Sequence, residues 1–314
     1  MQCFYAWNGG MLRSPRLKGK LIGTCRSVRM DGEINFNWHH QTGPSANMKS
    51  HESETIERAA MEDLHDAADQ DDIREIGLIR LTVNSSLISV ARNLPESAIV
   101  VNRVLGLGLS APASREEIKT IISTYSDNEV AQYFVQLHPD ASPAEVSEWM
   151  RHEGLKPDRG WQKFSRNPVK VENRQTNLTV REIGPEYGLA FGEIICSAFD
   201  LGDKAIPWLA KLPGREDWHI FMSFDGDKPA GVGALFVRNG YAWTDYGATS
   251  PEFRQLGSQG AVMAARLNRA IELGCQKIFT CTGVSVPGDP QHSYNNILKA
   301  GFKMDYVREN YVPS

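Results

Sequence analysis

The sequence has few cysteines and no long apolar segment. Its 314 residues include five cysteines, which are widely spaced and form no CxxC pair or Cys/His ligand pattern. This usage excludes a disulfide framework or a cysteine-based zinc site and indicates reduced thiols in a cytoplasmic protein. No apolar run approaches the ~20 residues that span a bilayer, so no membrane partner is expected.

No charge of one sign dominates the chain either. Lysine and arginine total 34, aspartate and glutamate total 38, and the net charge is −4. Because there is no basic excess, the sequence gives no reason to expect a nucleic-acid partner. The composition is that of a soluble globular protein, long enough for two domains of ordinary size.

The first fifty residues differ from the rest of the chain. Residues 1–30 contain six lysines or arginines and no acidic residue, but they lack the apolar stretch of about 7–15 residues found in a secretion signal. We therefore predict a disordered extension over residues 1–50; a true translation start at Met48 would explain it. His39 and His40 have no further ligands nearby and predict a solvated pair, and we expect no metal site.

From residue 51 the pattern becomes regular and divides into two halves. Residues 51–75 predict an acidic, solvated helix or tether, and the polar residues 166–177 predict a linker between the halves, 76–165 and 178–314. Both halves end in a short helix, a glycine and an apolar strand, which indicates an internal repeat, although this unit also recurs by chance. Alternation and capping signals predict an α/β protein of the mixed α+β kind. The predicted strands are Ile76–Val83, Ala98–Val104, Gln132–Leu137, Trp161–Phe164, Leu178–Ile183, Trp218–Phe224, Ala230–Arg238, Ala242–Thr249, Lys277–Thr282 and Phe302–Tyr311, and the main helices are those from Ser114, Ala144, Tyr187, Lys204, Ala261 and Ser293.

A first glycine motif lies at residues 106–111, Gly-Leu-Gly-Leu-Ser-Ala. It follows a predicted strand and matches a GxGxxA dinucleotide fingerprint. However, Pro112 and the helix cap at Ser114 place the helix start several residues beyond the glycines, whereas a dinucleotide site needs the turn to open directly into the helix. Glycines in an edge strand or bulge are the favoured interpretation, and a nucleotide-dependent oxidoreductase is the weaker one.

A second glycine motif, Arg254-Gln-Leu-Gly-Ser-Gln-Gly-Ala261, lies between a strand and an alanine-rich helix. Gly257 and Gly260 leave room for close backbone approach, and Ser258 is expected to cap the helix. Unpaired N–H groups at a helix N-terminus bind anions, so this segment predicts a diphosphate site. A glycine turn that serves packing alone is the alternative.

These motifs resemble those of the GNAT superfamily of acyl-CoA-dependent N-acetyltransferases. The family pattern Arg/Gln-x-x-Gly-x-Gly/Ala falls on residues 254–259, and a closing Tyr-x-Asn-x-x-Lys-Ala-Gly-Phe falls on 294–302. The sequence is most similar to a tandem bacterial-type branch in which the first half is a degenerate GNAT unit. The resemblance implies tandem GNAT-like domains, each with a central mixed, mostly antiparallel sheet flanked by helices, over residues 76–314.

The resemblance also implies acetyl-CoA as co-substrate and a set of cofactor-binding residues. Two positions depart from the family: Gln259 replaces the usual glycine or alanine, and Ile297 stands where many members have a tyrosine acid. The implied cofactor-binding residues are Ala248, Thr249, Arg254, Gln255, Leu256, Gly257, Ser258, Gln259, Gly260 and Asn296.

The implied reaction is direct attack of an amine on the acetyl thioester. An alkyl amine is mostly protonated at neutral pH, so the site needs a base, and the departing thiolate benefits from an acid. Asp245 is the candidate base, although an ordinary polar strand residue is as good an explanation. Tyr294 and Ser293 are the candidate acids, with core packing the alternative for the tyrosine. The backbone N–H groups near residues 248 and 249 are candidates for stabilising the oxyanion.

Several other residues are weighed and set aside. His292 is a possible proton relay but is expected to be exposed, and Cys281 is expected to be a buried, inert thiol. Trp208, Trp218 and Trp243 are candidates for the wall of an acceptor pocket, although large aromatic residues usually belong to the core.

The function predicted from the sequence is an acetyl-CoA-dependent N-acetyltransferase acting in a ternary complex. The acceptor is an amine of a small molecule or peptide, and the sequence identifies neither it nor the oligomeric state. The alternative is a non-catalytic module that binds acyl-CoA or another ligand as a sensor or scaffold, suggested by Ile297 and by the lack of an unambiguous base.

Overall fold

Eleven strands and eight helices make up the part of the chain that the structure, a computed structural model, describes: residues 51–172 and 175–314. The predicted extension at residues 1–50 lies outside the described residues. The helices are α1 Glu52–Asp66, α2 Gln70–Ile76, α3 Arg115–Asp127, α4 Val146–His152, α5 Gly188–Phe199, α6 Ile206–Leu209, α7 Ser258–Glu272 and α8 His292–Lys299. The strands are β1 Leu78–Val83, β2 Ser86–Ala91, β3 Arg103–Leu105, β4 Phe134–Leu137, β5 Leu155–Arg166, β6 Thr179–Ile183, β7 Trp218–Asp225, β8 Lys228–Arg238, β9 Tyr241–Thr249, β10 Lys277–Gly283 and β11 Lys303–Pro313.

The strands form a single sheet in the order β1-β2-β3-β4-β11-β5-β10-β9-β8-β7-β6. Neighbouring strands with an assigned register are antiparallel except for two parallel pairs, β3 with β4 and β9 with β10. The order is nearly symmetric about the centre: β1 to β4 on one side correspond to β7 to β10 on the other. At the centre the last strands of the two halves are exchanged, because β11 pairs with β4 and β5 pairs with β10. A mixed, mostly antiparallel sheet flanked by helices was predicted, and it is confirmed.

Helices cover both faces of this sheet. On one face α1, α5 and α6 share a core that includes Leu64, Phe191 and Trp208. The other face holds a core under α7 and α8, which includes Leu267 and Ile297, and a further core packs under α3 and α4. Because side chains alternate along a strand, neighbouring residues of the central strands serve opposite faces. This alternation decides which of the candidate residues can meet.

The repeat of helix, glycine and strand is present in both halves. Helix α4 is followed by Gly154 (φ 87°) and β5, and α8 is followed by Gly301 (φ 82°) and β11. A left-handed glycine ends each helix because it adopts a positive φ without a Cβ clash. The two units lead into the two exchanged strands, so the repeat in the sequence corresponds to a repeat in the structure.

Two local predictions are wrong, and one strand was not predicted. Residues 98–102 form a hydrogen-bonded turn, with Asn102 N–H donating to Ala98 O, and only Arg103–Leu105 is a strand. Ala98 and Val101 are fully buried in this turn without strand pairing. The strand Ser86–Ala91 was not predicted because its serines are typical of a loop, yet all six of its residues are buried. The helix expected from Lys204 is reduced to Ile206–Leu209.

Helix α1 is also different from its prediction. The acidic segment does form a helix, but it is not solvated: Glu54 and Glu57 are 6% and 1% exposed. The helix packs against the sheet because cations on the strands pair with these carboxylates. These cations are far from the glutamates in the sequence, so the sequence around the glutamates does not predict the pairing.

Candidate active site

The two parallel strands β9 and β10 separate after a short paired stretch. Their register runs only from Tyr241 with Lys277 to Trp243 with Phe279, although β9 continues to Thr249 and β10 to Gly283. The Thr280 hydroxyl donates to the Thr244 carbonyl at 2.9 Å at the point of separation. A register shift between β8 and β9, with Tyr246 at φ 48°, bends β9 away from its neighbour. A gap therefore opens between β9 and β10 towards their carboxyl ends.

The loop after β9 leads from this gap to the N-terminus of α7. Within the described residues, the backbone N–H groups of residues 255–260 donate no hydrogen bond; the first amide used is that of Ala261, which donates to Gly257 O at 3.1 Å. Residues 254–257 are exposed, and Gly257 precedes the helix at φ 85° without a side-chain cap. These amides have no acceptor among the described residues, and residues 255–257 are exposed to solvent; unpaired amides at the start of a helix are the arrangement that binds anions.

Ser258 does not cap the helix, contrary to the prediction. It is the first residue of α7 and is 2% exposed. Its hydroxyl lies 2.7 Å from that of Ser223 and 3.4 Å from that of Thr249, so it fastens the helix to the sheet. The left-handed turn at Gly257 directs the serine inward, and the first-turn amides are left without an internal acceptor.

The linker runs beside the loop. Thr176 donates to Leu256 O at 2.6 Å, and a Cβ at position 257 would approach the Thr176 Cβ to 3.3 Å. Further back, the Asn268 side chain bonds both the N–H and the C=O of Val171 at 3.0 Å. Val171 and Thr176 of the predicted linker therefore lie beside α7 and its loop, and any side chain at 257 would enter the narrow space next to Thr176.

Two other predicted cofactor residues bond to each other. The Asn296 side-chain amide of α8 donates to the Gln259 side-chain oxygen of α7 at 2.6 Å. Both residues are half-buried. The pair joins the two helices next to the unpaired amides. Ala248, at 2% exposure, and Thr249 lie on β9 opposite Val232 and Gly231.

The candidate base Asp245 lies at the bend of β9 and points to the α1 face. Its carboxylate accepts hydrogen bonds from the Trp243 indole N–H at 3.0 Å and from the Tyr246 backbone N–H at 2.8 Å. Burial raises the pKa of this carboxyl, and the charge of Arg103 opposes the rise. Beside it is a cavity of about 10 Å³, enough for one water molecule, lined by Glu57, Ala60, Met61, Leu64, Arg103, Trp218, Trp243, Asp245 and Tyr246.

A buried charge network, which we define as Glu54, Glu57, Arg103, Lys163 and Arg308, fills the α1 face behind the gap. Glu57 contacts the three cations at 2.6–2.7 Å, and Glu54 accepts from Arg308 at 2.8 Å. Burial by itself would raise the pKa of Glu54, but the charges of Arg308 and Lys163 outweigh it and bring the pKa to about 2. The same balance holds the pKa of Glu57 well below its usual value.

The candidate acids lie on the opposite face from Asp245. Tyr294 of α8 packs edge-on against Phe164 at 5.2 Å between ring centroids, and its hydroxyl donates to the Met304 sulfur at 2.8 Å. Ser293 precedes it and is half-buried, whereas His292 is exposed. Asp245 and Tyr294 therefore lie on opposite faces of the sheet, and the contacts of Tyr294 are with β5 and β11, not with the edges of the gap between β9 and β10.

The other residues considered from the sequence, Cys281 and three tryptophans, lie in surroundings typical of the protein core. Burial raises the pKa of Cys281 to about 12, so its thiol stays protonated at neutral pH. Trp208 is fully buried and donates to Leu64 O at 2.8 Å, as a core residue does. Trp218 and Trp243, also in the core, line the small cavity beside Asp245.

Arg266 of α7 is 2% exposed, although it carries a charge. Its guanidinium donates to Ala234 O at 3.0 Å and to Asp245 O at 2.9 Å, across the bend between β8 and β9. A Cβ at Gly233 would lie 2.7 Å from the guanidinium carbon. A glycine inside a predicted strand indicates such a close approach, and Gly233 is the one sequence feature that points to this contact.

Solved structures with the same fold are distant in sequence. The structure is similar to a GCN5-related N-acetyltransferase from Kribbella flavida, at 14% identity and a TM-score of 0.56, covering 83% of this chain and 95% of that one. The chain has the GNAT fold. It is also similar to a Drosophila protein (13% identity, TM-score 0.53, 83% and 88% covered). A functionally unknown conserved protein from Staphylococcus epidermidis matches at 10% identity and a TM-score of 0.51, with 79% and 98% covered.

The resemblance to GNAT proteins predicted from the motifs is therefore confirmed at the level of the fold. No family model matches the sequence, and no curated protein matches it. The gap between β9 and β10 and the unpaired loop together form the candidate site within this GNAT fold.

Proposed function

We propose that this GNAT-fold chain is an acetyl-CoA-dependent N-acetyltransferase. The observation that supports the proposal most directly is the row of amides at residues 255–260, which donate to no described residue, beside the gap between β9 and β10. A diphosphate is an anion of the right chemistry for such amides, because each N–H can donate to a phosphate oxygen and the helix dipole favours negative charge.

The residues around the loop fit the co-substrate. Gly257 has no side chain in the approach, and the exposed Arg254 adds a positive charge at the same loop. Beyond the bond between Thr280 and Thr244 no assigned pairing joins β9 to β10, and we assign this gap to an extended amide chain such as pantetheine. Acetyl-CoA bound there would supply an activated thioester carbonyl.

Asp245 is the residue we assign to accept the proton of the amine. A raised pKa makes a carboxylate a better proton acceptor near neutral pH, and the bonds from Trp243 and Tyr246 hold its orientation. The Tyr294 hydroxyl, with Ser293 beside it, is the group we assign to protonate the departing thiolate from the α8 side. Asp245→Asn should lower kcat about 10²- to 10⁴-fold while CoA affinity stays unchanged.

The proposal is tested by two measurements on the full chain. Thermal-shift titration compares CoA with NAD, and we expect stabilisation by CoA alone. Release of free thiol from acetyl-CoA is then followed with a panel of small amines and lysine peptides. Stabilisation by NAD and not by CoA would contradict the assignment and favour the oxidoreductase.

A binding module without turnover is the second candidate. Its specific support is the buried charge network, which fills the α1 face behind the gap with fully buried side chains such as Lys163 and Glu57. The cavity beside Asp245 on that face holds one water molecule only, so it has no space for an amine acceptor. CoA binding with no thiol release on any acceptor would favour this function.

We further propose a cytoplasmic location and an amine acceptor of small-molecule or peptide type. Cys196, Cys275 and Cys281 are free thiols among the described cysteines, which suits a reducing compartment. Within the described residues no helix has both the length and the apolar character needed to cross a membrane.

A further inference from the structure

Two histidines and an aspartate from distant parts of the sequence meet beside the start of α1. His51 is the residue before the helix, His138 follows β4, and Asp140 lies two residues beyond it. One ring nitrogen of each histidine and one carboxylate oxygen of Asp140 all lie within 4.8 Å of one another. The proposed acetyltransferase chemistry uses none of the three.

The cluster is held in place by its surroundings. The His51 Nε2 lies 3.5 Å from the Asp140 carboxylate, although 89 residues separate them in sequence. The two imidazole rings meet edge-on with centroids 4.8 Å apart, and His138 packs against the Tyr306 ring at 4.4 Å. The Asp140 backbone N–H donates to the His138 Nδ1 at 2.9 Å, which fixes the turn against the ring.

We propose that His51, His138 and Asp140 form a site for a divalent transition-metal ion, with zinc the best match. Two imidazole nitrogens and one carboxylate are ligands that zinc takes in tetrahedral sites, whereas calcium and magnesium prefer oxygen alone. Zinc ligands at about 2.0–2.1 Å from the ion lie about 3.3 Å apart. The observed separations are 3.5 Å for one pair and up to 4.8 Å overall, so the ligand atoms would close by at most about 1.5 Å on binding the ion.

The ion would have a structural effect. It would join the first turn of α1, the helix that supplies Glu54 and Glu57 to the buried charge network, to the turn after β4. Zinc at the Nε2 of His138 leaves its bond to the Asp140 amide in place, and zinc at Nδ1 replaces that bond. His152 is a histidine of the same half whose side chain is 75% exposed, and it supplies a control.

The experiment uses the full chain after removal of metal with a chelator. We expect binding of one zinc ion per chain, a rise in the melting temperature with zinc, and the visible absorption bands of tetrahedral cobalt when Co²⁺ is added. His51→Gln and Asp140→Asn, both near the surface, should each weaken zinc binding at least about tenfold by removing a ligand. His152→Gln should bind as the unaltered protein does.

A double substitution, His39→Gln with His40→Gln, removes the other histidine pair of the chain. The proposal is overturned if neither zinc nor cobalt binds. It is also overturned if His51→Gln and Asp140→Asn bind zinc normally, or if the His39/His40 variant is the one that loses the cobalt bands. Circular dichroism of each variant verifies that the fold is retained.

Discussion

The loops after β3 and after β9 occupy corresponding places in the two halves, yet their amides are used differently. In the first half, the N–H groups of Gly108, Leu109 and Ala113 donate to Ser85 Oγ, Gly106 O and Ser142 O. Ser114 caps α3 by accepting from the Glu117 N–H at 3.1 Å. In the second half the amides of residues 255–260 have no such acceptors within the described residues.

The difference shows that a glycine-rich loop before a helix is not by itself a ligand site. Gly106 and Gly108 are needed for tight packing: a Cβ at Gly108 would lie 2.7 Å from the Ser142 carbonyl. The first loop therefore packs directly against the turn at residues 141–142. The interpretation of that motif as a dinucleotide site therefore has no structural support, although its glycines lie in a turn with positive φ and not in an edge strand. Unpaired donors, not glycine content, distinguish the second loop.

The largest expected effect concerns the charge network that joins the two halves. Glu57→Gln leaves Arg103, Lys163 and Arg308 with too little negative charge in a buried place, so we expect a loss of about 3–5 kcal/mol in the free energy of unfolding. Urea unfolding followed by tryptophan fluorescence measures it. Glu62→Gln, on the same helix in a half-buried pair with Arg58 at 2.9 Å, should lose at most about 1 kcal/mol. If the two variants lose the same free energy of unfolding, the buried charge network contributes no more to stability than the pair of Glu62 with Arg58.

The second prediction addresses the open loop. Gly257→Val introduces a β-branched side chain at φ 85°, against Thr176 and in front of the amides. We expect CoA affinity to fall about 10- to 100-fold, the equivalent of one charge-assisted hydrogen bond or slightly more. Isothermal titration measures it. Gly274→Val is the matched control, because Gly274 also has a positive φ (73°) and no atom within 4 Å of a Cβ, at the other end of α7. Equal affinities in the two variants would show that the loop does not bind the diphosphate.

The third prediction addresses the closed loop. Gly108→Ala forces a Cβ against the Ser142 carbonyl at φ 72°, and we expect a loss of about 1–2 kcal/mol in the free energy of unfolding with CoA affinity unchanged. Urea unfolding and CoA titration on one preparation separate the two quantities. A marked drop in CoA affinity in this folded variant would mean that the first loop also takes part in binding.

The smallest expected effect is a dependence of stability on pH in the first half. Burial lowers the pKa of His65 from 6.5 to about 3, with a contribution from the charge of Arg80. As the pH falls below 6.5 the unfolded chain takes up a proton that the folded chain refuses, so stability declines. From pH 7.5 to 5.5 the loss should be about 1.4 kcal/mol. Urea unfolding at pH 7.5 and at pH 5.5 measures this loss, and in His65→Gln the loss should be smaller by that amount. If the loss is the same in the variant, groups other than His65 cause it.

Much of the second half was predictable from the sequence, for a local reason. Strands β6 to β11 and helix α7 follow from alternation, from the glycines at 226, 240 and 274 and from a helix whose small residues lie against the sheet. The first half was harder to predict, because β2 contains two serines and because residues 98–101 are apolar without being a strand. Burial of apolar side chains has the same pattern in a packed turn as in a short strand.

By itself the sequence determined the fold class, the place of the loop before α7 and the repeat of helix, glycine and strand, because each depends on residues close together in the chain. Only the tertiary structure decided that β5 and β11 exchange places, that Glu57 is buried among three cations, and that Asp245 and Tyr294 face opposite sides of the sheet. It also decided which of two similar loops keeps its amides unpaired. These features depend on contacts between residues far apart in the sequence, and the free energy of such a contact is fixed by what surrounds it after folding, which no local pattern encodes.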